Sequence, residues 1–236
     1  MKRVQIMLLI AALALAAGAL LAYSAPLDRL QGEFTRLLYV HVPTLWIAFL
    51  AFGLTALGSV MYLIRKKERW DRLAAGSAEL GVLFSVVGVF TGMVWGQAVW
   101  GQAWDWSDAR LATTAVMIFV YIGYLALRQA TADPEKRARR SAILGTIAVV
   151  QVPLVYFSVN LWRTLHQTQS IRPDGTTMDP EMLVALLVNV GAFSLAFIAL
   201  LMGRMLVTRL ELVAGADTEL AGDTVSPPRL SEIEDV

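Results

Sequence analysis

Residues 42–67 read VPTLWIAFLAFGLTALGSVMYLIRKK: twenty-three positions without a charge, closed by Arg65, Lys66 and Lys67. A helix rising 1.5 Å per residue covers roughly 35 Å over such a stretch, enough to cross a hydrocarbon core about 30 Å thick. The basic cluster marks the return to water. Working outward, five more apolar segments stand out, at 4–24, 77–99, 111–127, 141–161 and 182–203. The composition of the 236-residue chain agrees, with 57% hydrophobic and 17% charged residues and a mean hydropathy of +0.59. A soluble domain sits nearer 45–50% apolar and about 25% charged, and one core of this size cannot bury the excess. The sequence therefore predicts an all-α polytopic membrane protein, a bundle of six transmembrane helices. It excludes an ordinary soluble enzyme, a disordered chain and a fibrous protein.

The loops alternate in charge. Fifteen of the twenty Lys and Arg residues fall on one side: Lys2 and Arg3, the Arg65–Arg72 cluster, Arg128 with the Lys136–Arg140 cluster, and Arg204, Arg209 and Arg229. The other side holds Arg29, Arg36, Arg110, Arg163 and Arg172. The positive-inside rule places both termini in the cytoplasm, and an even number of spans fits that. The outer connections then run over 25–41, 95–110 and 162–181. The first segment is longer than the apolar core of a signal peptide, and Ala22-Tyr23-Ser24-Ala25 is only a weak cleavage-like match, so it is read as a span. Residues 1–213 form one six-span membrane domain and 214–236 a flexible cytoplasmic tail, rich in acids and turn formers. The basic inner loops read as topology determinants and headgroup contacts, and no nucleic-acid partner is expected.

The chain has no cysteine, so disulfides, thiolate metal sites and a cysteine nucleophile are excluded. Its chemistry concentrates in the outer connections. Between Trp95 and Trp106 stand four of the seven tryptophans, Trp95, Trp100, Trp104 and Trp106, interleaved with Gly96 and Gly101. An interfacial aromatic belt spreads its indoles over many helix ends. Concentration in one loop favours a platform for a large planar ligand, since indoles are flat and lose little rotamer entropy. Asp105, Asp108 and Arg110 close this loop. Arg110 either snorkels, pairs with an aspartate or meets an anionic ligand group, and the sequence leaves these open. The only two histidines, His41 and His166, lie on the same side and flank the tryptophan loop. Two imidazoles without cysteine suit axial coordination of a haem iron better than a tetrahedral zinc site.

Few polar residues enter the spans. Glu79, Gln151, Asn160 and Asn189 are read as interhelical hydrogen-bonding groups, and Gly88-x-x-x-Gly92 as a site of close helix packing without chemical meaning. No Asp, Glu or Lys lies in mid-span and no nucleotide-binding loop is present, so neither an ion gradient nor ATP is used by this chain itself.

With these residues in view, the sequence resembles the tryptophan-rich (WWD) haem-handling membrane proteins. The loop Trp95–Asp108 with Arg110-Leu111 is similar to their WWD segment. Leu37-Leu38-Tyr39-Val40-His41-Val42-Pro43 resembles the surroundings of the family's first histidine, and the stretch from Tyr156 to Gln167 those of its second. Six spans match the smallest branch, haem exporter protein C of the bacterial cytochrome c maturation system. Relative to the family pattern, one residue more stands between Trp106 and Asp108 and another before Thr113, which shifts Asp108 and Arg110 against the indoles.

The resemblance implies a function. Haem b, iron protoporphyrin IX, is bound at the outer face as cargo, with His41 and His166 as axial iron ligands. Trp95, Trp100, Trp104 and Trp106 hold the macrocycle, with Asp108 and Arg110 beside it. A membrane-anchored haem chaperone receives the haem covalently. An ABC ATPase subunit with its membrane partner, and a small accessory membrane subunit, complete the assembly, and ATP hydrolysis releases the loaded chaperone. The chain is then a transfer subunit and not an enzyme. The alternatives are a permease component that conducts haem or another substrate, and a bis-histidine electron-transfer subunit. The second wants both ligands inside helices.

Overall fold

Side chains and left-handed turns set the helix ends. Asp108 accepts from the backbone N–H groups of Arg110 and Leu111, both at 3.0 Å, and starts the helix Ala109–Ala130. Asp133 accepts from Lys136 N at 2.8 Å and starts Pro134–Ala148, with Pro134 in the first turn, where no N–H is needed. Lys66, at φ 53°, ends Leu38–Arg65 and returns its N–H to the Tyr62 carbonyl at 2.8 Å. Gly101, at φ 74°, ends Glu68–Trp100, in a conformation that costs glycine nothing sterically.

The computed structural model describes residues 2–168, 170–172 and 175–224. In chain order these form α1 (Lys2–Ser24), a 3-10 turn (Glu33–Leu37), α2 (Leu38–Arg65), α3 (Glu68–Trp100), α4 (Ala109–Ala130), α5 (Pro134–Ala148), α6 (Gln151–Leu161), a two-stranded hairpin of β1 (Ile171–Arg172) and β2 (Gly175–Thr176), and α7 (Pro180–Thr224). Six helical stretches are long and apolar enough to cross a membrane, counting the 3-10 turn with α2 and α5 with α6. Large apolar side chains point outward along them, among them Leu13, Leu20, Phe90 and Phe119, as lipid-facing surfaces require.

Four details differ from the sequence reading. The tryptophan segment 95–110 is not all loop: α3 runs on to Trp100, because nothing before Gly101 stops it, and the irregular part shrinks to 101–108. His41 lies in the first turn of α2, not in the preceding connection. The fifth span breaks between α5 and α6. There Pro153 has no N–H to offer the Val149 carbonyl, and the hydrogen bonds tighten to Val150 N–Ile147 O at 3.2 Å and Val152 N–Val149 O at 3.0 Å. Finally, α7 continues past Gly203 to Thr224, so 214–224 extends a helix where a tail was expected, and 225–236 lies outside the described residues.

The core sits between α2, α3 and α4, with contributions from α5, α6 and α7. Phe52 stacks on Tyr121 at 3.6 Å between ring centroids, surrounded by Ile47, Ala51, Ala78, Met117 and Phe197. α2 and α3 approach closely because Gly81 and Gly88 leave room for Phe52 and Leu45. Polar groups at the span ends join other helices to α3. Arg128 of α4 grips Asp71 in a two-pronged pair at 2.6 and 2.8 Å, both side chains about seven-eighths buried. Arg204 of α7 grips Glu79 at 2.5 and 3.0 Å. Asn189 donates to the Gly18 carbonyl at 2.9 Å and ties α7 to α1, so Glu79 and Asn189 bond between helices as read from the sequence.

Thiol labelling tests the orientation cleanly, because the chain contributes no cysteine of its own. Thr177→Cys and Ala132→Cys are both exposed and lie at opposite ends of the bundle. With the basic loops inside, an impermeant maleimide labels Cys at 177 in intact cells and Cys at 132 only after permeabilisation. The reverse pattern turns the molecule over.

Candidate functional site

His41 leaves the first turn of α2 and lays its ring on α3. Its Nδ1 stands 2.9 Å from the Gly88 carbonyl and 3.3 Å from the Thr91 hydroxyl. A carbonyl oxygen only accepts, so Nδ1 carries the proton and Nε2 keeps its lone pair. Trp95, one turn beyond Gly92, meets this ring edge-on at 5.7 Å. The Trp95 indole N–H donates to Gln31 at 2.9 Å, which fixes it against the first outer connection. The alternating stations of α3 thus hold the imidazole: a carbonyl, a bare glycine and an indole.

His166 is held by the start of α4. Asp108, 3% exposed, uses one carboxylate oxygen to cap that helix. The other accepts from the Thr164 hydroxyl at 2.6 Å and from Leu165 N at 2.7 Å. The irregular segment after α6 is thereby pinned to α4. His166 turns Nδ1 toward the same cluster, 3.3 Å from Thr164 Oγ1 and 3.5 Å from Asp108 Oδ1. Acceptors on this flank again favour a proton on Nδ1 and a free Nε2. Burial would raise the Asp108 carboxyl, but hydrogen bonds from Thr164, Leu111 and Leu165 outweigh it and hold the group below its ordinary value. Burial holds the His166 imidazole below its ordinary value too; Asp108 opposes this and Arg110 adds to it. The neutral ring, the form that binds metal, therefore persists to more acidic pH than that of an exposed histidine.

The remaining candidates divide. Trp100, on the last turn of α3, meets His166 at 4.9 Å with its ring inclined by 69°. Trp104 and Trp106 pair edge-to-face at 5.2 Å on the loop, Trp106 largely exposed. The Trp104 indole N–H is buried with no hydrogen-bond partner among the described residues. Arg110 lies within electrostatic reach of His41, His166 and Asp108, yet its guanidinium makes no ion pair among the described residues. Asp105 accepts from Ser107 N at 2.8 Å and its hydroxyl at 2.7 Å, a local turn that serves the loop. No cluster of three His, Cys, Asp or Glu side chains able to enclose a metal ion occurs among the described residues. Two imidazoles suit an ion that arrives with its remaining ligands, as a porphyrin iron does.

Asp108 thus holds a more central place than its displaced motif position foretold. Thr164, the Gly88 carbonyl and Gln31 were missed by sequence reasoning. Gly92 was read as packing alone, although a Cβ there would press on His41 and not on a neighbouring helix backbone.

A sequence model described as Heme exporter protein C matches residues 1–217. The chain is 34% identical over 192 residues to Heme exporter protein C of Bradyrhizobium diazoefficiens, across 81% of this chain and 73% of that one. It is 35% identical over 190 residues to Heme exporter protein C of Haemophilus influenzae, across 80% and 76%. Against Heme exporter protein C of Escherichia coli K12 it is 33% identical over 181 residues, across 77% and 73%. With six spanning helices, these relatives make it a multi-pass inner-membrane protein. It belongs to the heme exporter protein C family.

Proposed function

We propose that this chain holds haem b at the outer face of the membrane, its iron between His41 and His166, and presents it to a membrane-anchored chaperone for cytochrome c biogenesis. One observation carries the reading: both histidines of the chain stand at one end of the bundle with Nδ1 turned to acceptors, which leaves each Nε2 for iron. Trp95 and Trp100 border the two rings and supply flat apolar walls. Trp104 and Trp106 extend that wall along the loop, and the Trp104 N–H, without a hydrogen-bond partner among the described residues, and the Arg110 guanidinium suit carboxylate groups of the cargo. Asp108 is a positioning residue for His166. The chain contributes binding and orientation and turns nothing over by itself.

An ABC ATPase subunit, its membrane partner and a small accessory subunit complete the proposed assembly. The exposed basic residues at the inner ends of α2 and α5 offer the contact surface for the ATPase. Haem loading then needs only the outer site, and ATP serves release. An ATPase-dead partner is expected to trap this chain with haem-loaded chaperone, readable as haem co-purifying with the chaperone from membranes. Recovery of chaperone without haem would instead make ATP the driver of haem supply and favour a permease.

A further inference from the structure

The glycines of α3 do different work. At Gly81 an added Cβ meets Phe52 at 2.5 Å, and at Gly88 it meets Leu45 at 2.6 Å, so both admit the packing of α2. At Gly92 the atom it meets is in a functional ring. The Cβ would stand 2.8 Å from Cε1 and 3.2 Å from Nδ1 of His41. Carbon atoms rest at about 3.5–4.0 Å, so one of the two groups must move.

We propose that Gly92 is a positioning residue for His41: its missing side chain is the floor on which the imidazole lies while Nδ1 reaches the Gly88 carbonyl. This rests on the reading of His41 as an iron ligand and adds what aims it. The ring cannot simply retreat. α2 is seated against α3 one turn further on by Leu45 over Gly88, and Trp95 meets the ring edge-on at 5.7 Å. Rotation of the side chain is the remaining escape, and it breaks the 2.9 Å hydrogen bond to Gly88. With that bond go both the tautomer and the direction of Nε2.

A double-mutant cycle without haem tests the contact. Thermal unfolding in detergent is compared for the wild type, Gly92→Ala, His41→Ala and the pair, with Gly123→Ala, whose Cβ meets nothing within 4 Å, as the control. Gly92→Ala is expected to lower the melting temperature only while His41 is present. In the His41→Ala background it is neutral or stabilising, because alanine is the better helix former. Should Gly92→Ala fail to accumulate, recovery of the protein by adding His41→Ala reads the same coupling. Equal cost in both backgrounds, or no cost in either, overturns the proposal.

The haem arm reads the function of the contact. Gly92→Ala should weaken low-spin haem binding roughly 10–100-fold, the usual cost of losing a ligand's orienting partner. Added imidazole should restore the low-spin spectrum by taking the vacated position. A wild-type spectrum and affinity in Gly92→Ala also overturns the proposal. An unchanged spectrum in His41→Ala would sink the ligand assignment and not the contact, which the cycle reads on its own.

Discussion

Replacing His41 and His166 together by alanine is expected to leave the protein in the membrane and to strip it of low-spin haem. The folding cost is small for physical reasons. Without the imidazole, the Gly88 carbonyl still receives the Thr91 hydroxyl at 3.0 Å, so no buried acceptor is orphaned. His166 lies in an irregular segment whose anchor is Thr164 and Leu165 on Asp108, and that anchor survives. The binding loss is large, beyond about 100-fold, since changes to outer partners alone cost 10–100-fold. Each single substitution leaves one iron bond and a wall of indoles, so a high-spin spectrum with reduced retention is the expected result. Absorption spectra and haem content of the purified protein, alone and with the chaperone, make the measurement. A double variant with unchanged haem content and spectrum refutes the assignment.

Asp108→Ala ranks next in effect, and its comparison with Asp108→Asn separates two roles. The carboxylate serves two sets of donors with its two oxygens: the first turn of α4 on one, Thr164 and Leu165 on the other. Alanine abandons both. Loss of the cap costs about 1 kcal/mol, and the buried donors left on the loop add roughly 1–3 kcal/mol. Asparagine has a single acceptor oxygen, so it satisfies the helix or the loop and never both. Both variants are expected to free the segment around His166, to raise its susceptibility to protease and to lower haem retention. Asp108→Asn should keep much of the thermal stability that Asp108→Ala loses. An asparagine variant with wild-type haem retention and protease protection would reduce Asp108 to a helix cap. The contribution of the carboxylate is complete above its ordinary titration range and fades only as the pH falls through its lower folded value, so neutral and mildly acidic buffers leave the comparison intact.

The spans were legible because hydropathy is a property of composition over some twenty residues, and lipid imposes it segment by segment. Positions 42–64 could be nothing else. Helix ends depend on single residues, and there the reading slipped. Trp95 and Trp100 looked like loop because tryptophans and glycines alternate, yet only Gly101 adopts the left-handed turn that stops α3. Pro153 was visible, but whether it kinks or merely opens a helix depends on neighbours that the sequence does not place. At the candidate site, both histidines and the indoles beside them were singled out by residue type. What aims the rings was not, because the partner of His41 is a main-chain carbonyl, which every residue possesses, and a glycine, which carries no chemistry to notice. Asp108 was undervalued for a related reason: its importance comes from meeting a segment 56 residues away.

The length of α3 bears on how a partner finds the site. Its 33 residues extend roughly 50 Å, about 20 Å more than the hydrocarbon needs. The charged residues that account for the surplus, from Glu68 to Glu79, all lie toward one end, which leaves Trp95 and Trp100 near headgroup height at the other. A shelf held at that level would meet the proposed membrane-anchored chaperone by diffusion in a plane. The tether removes the search in height, so the local concentration of partner is set by the reach of its linker and not by the volume of the compartment. Weak individual contacts then suffice for frequent capture, and rapid parting remains compatible with them.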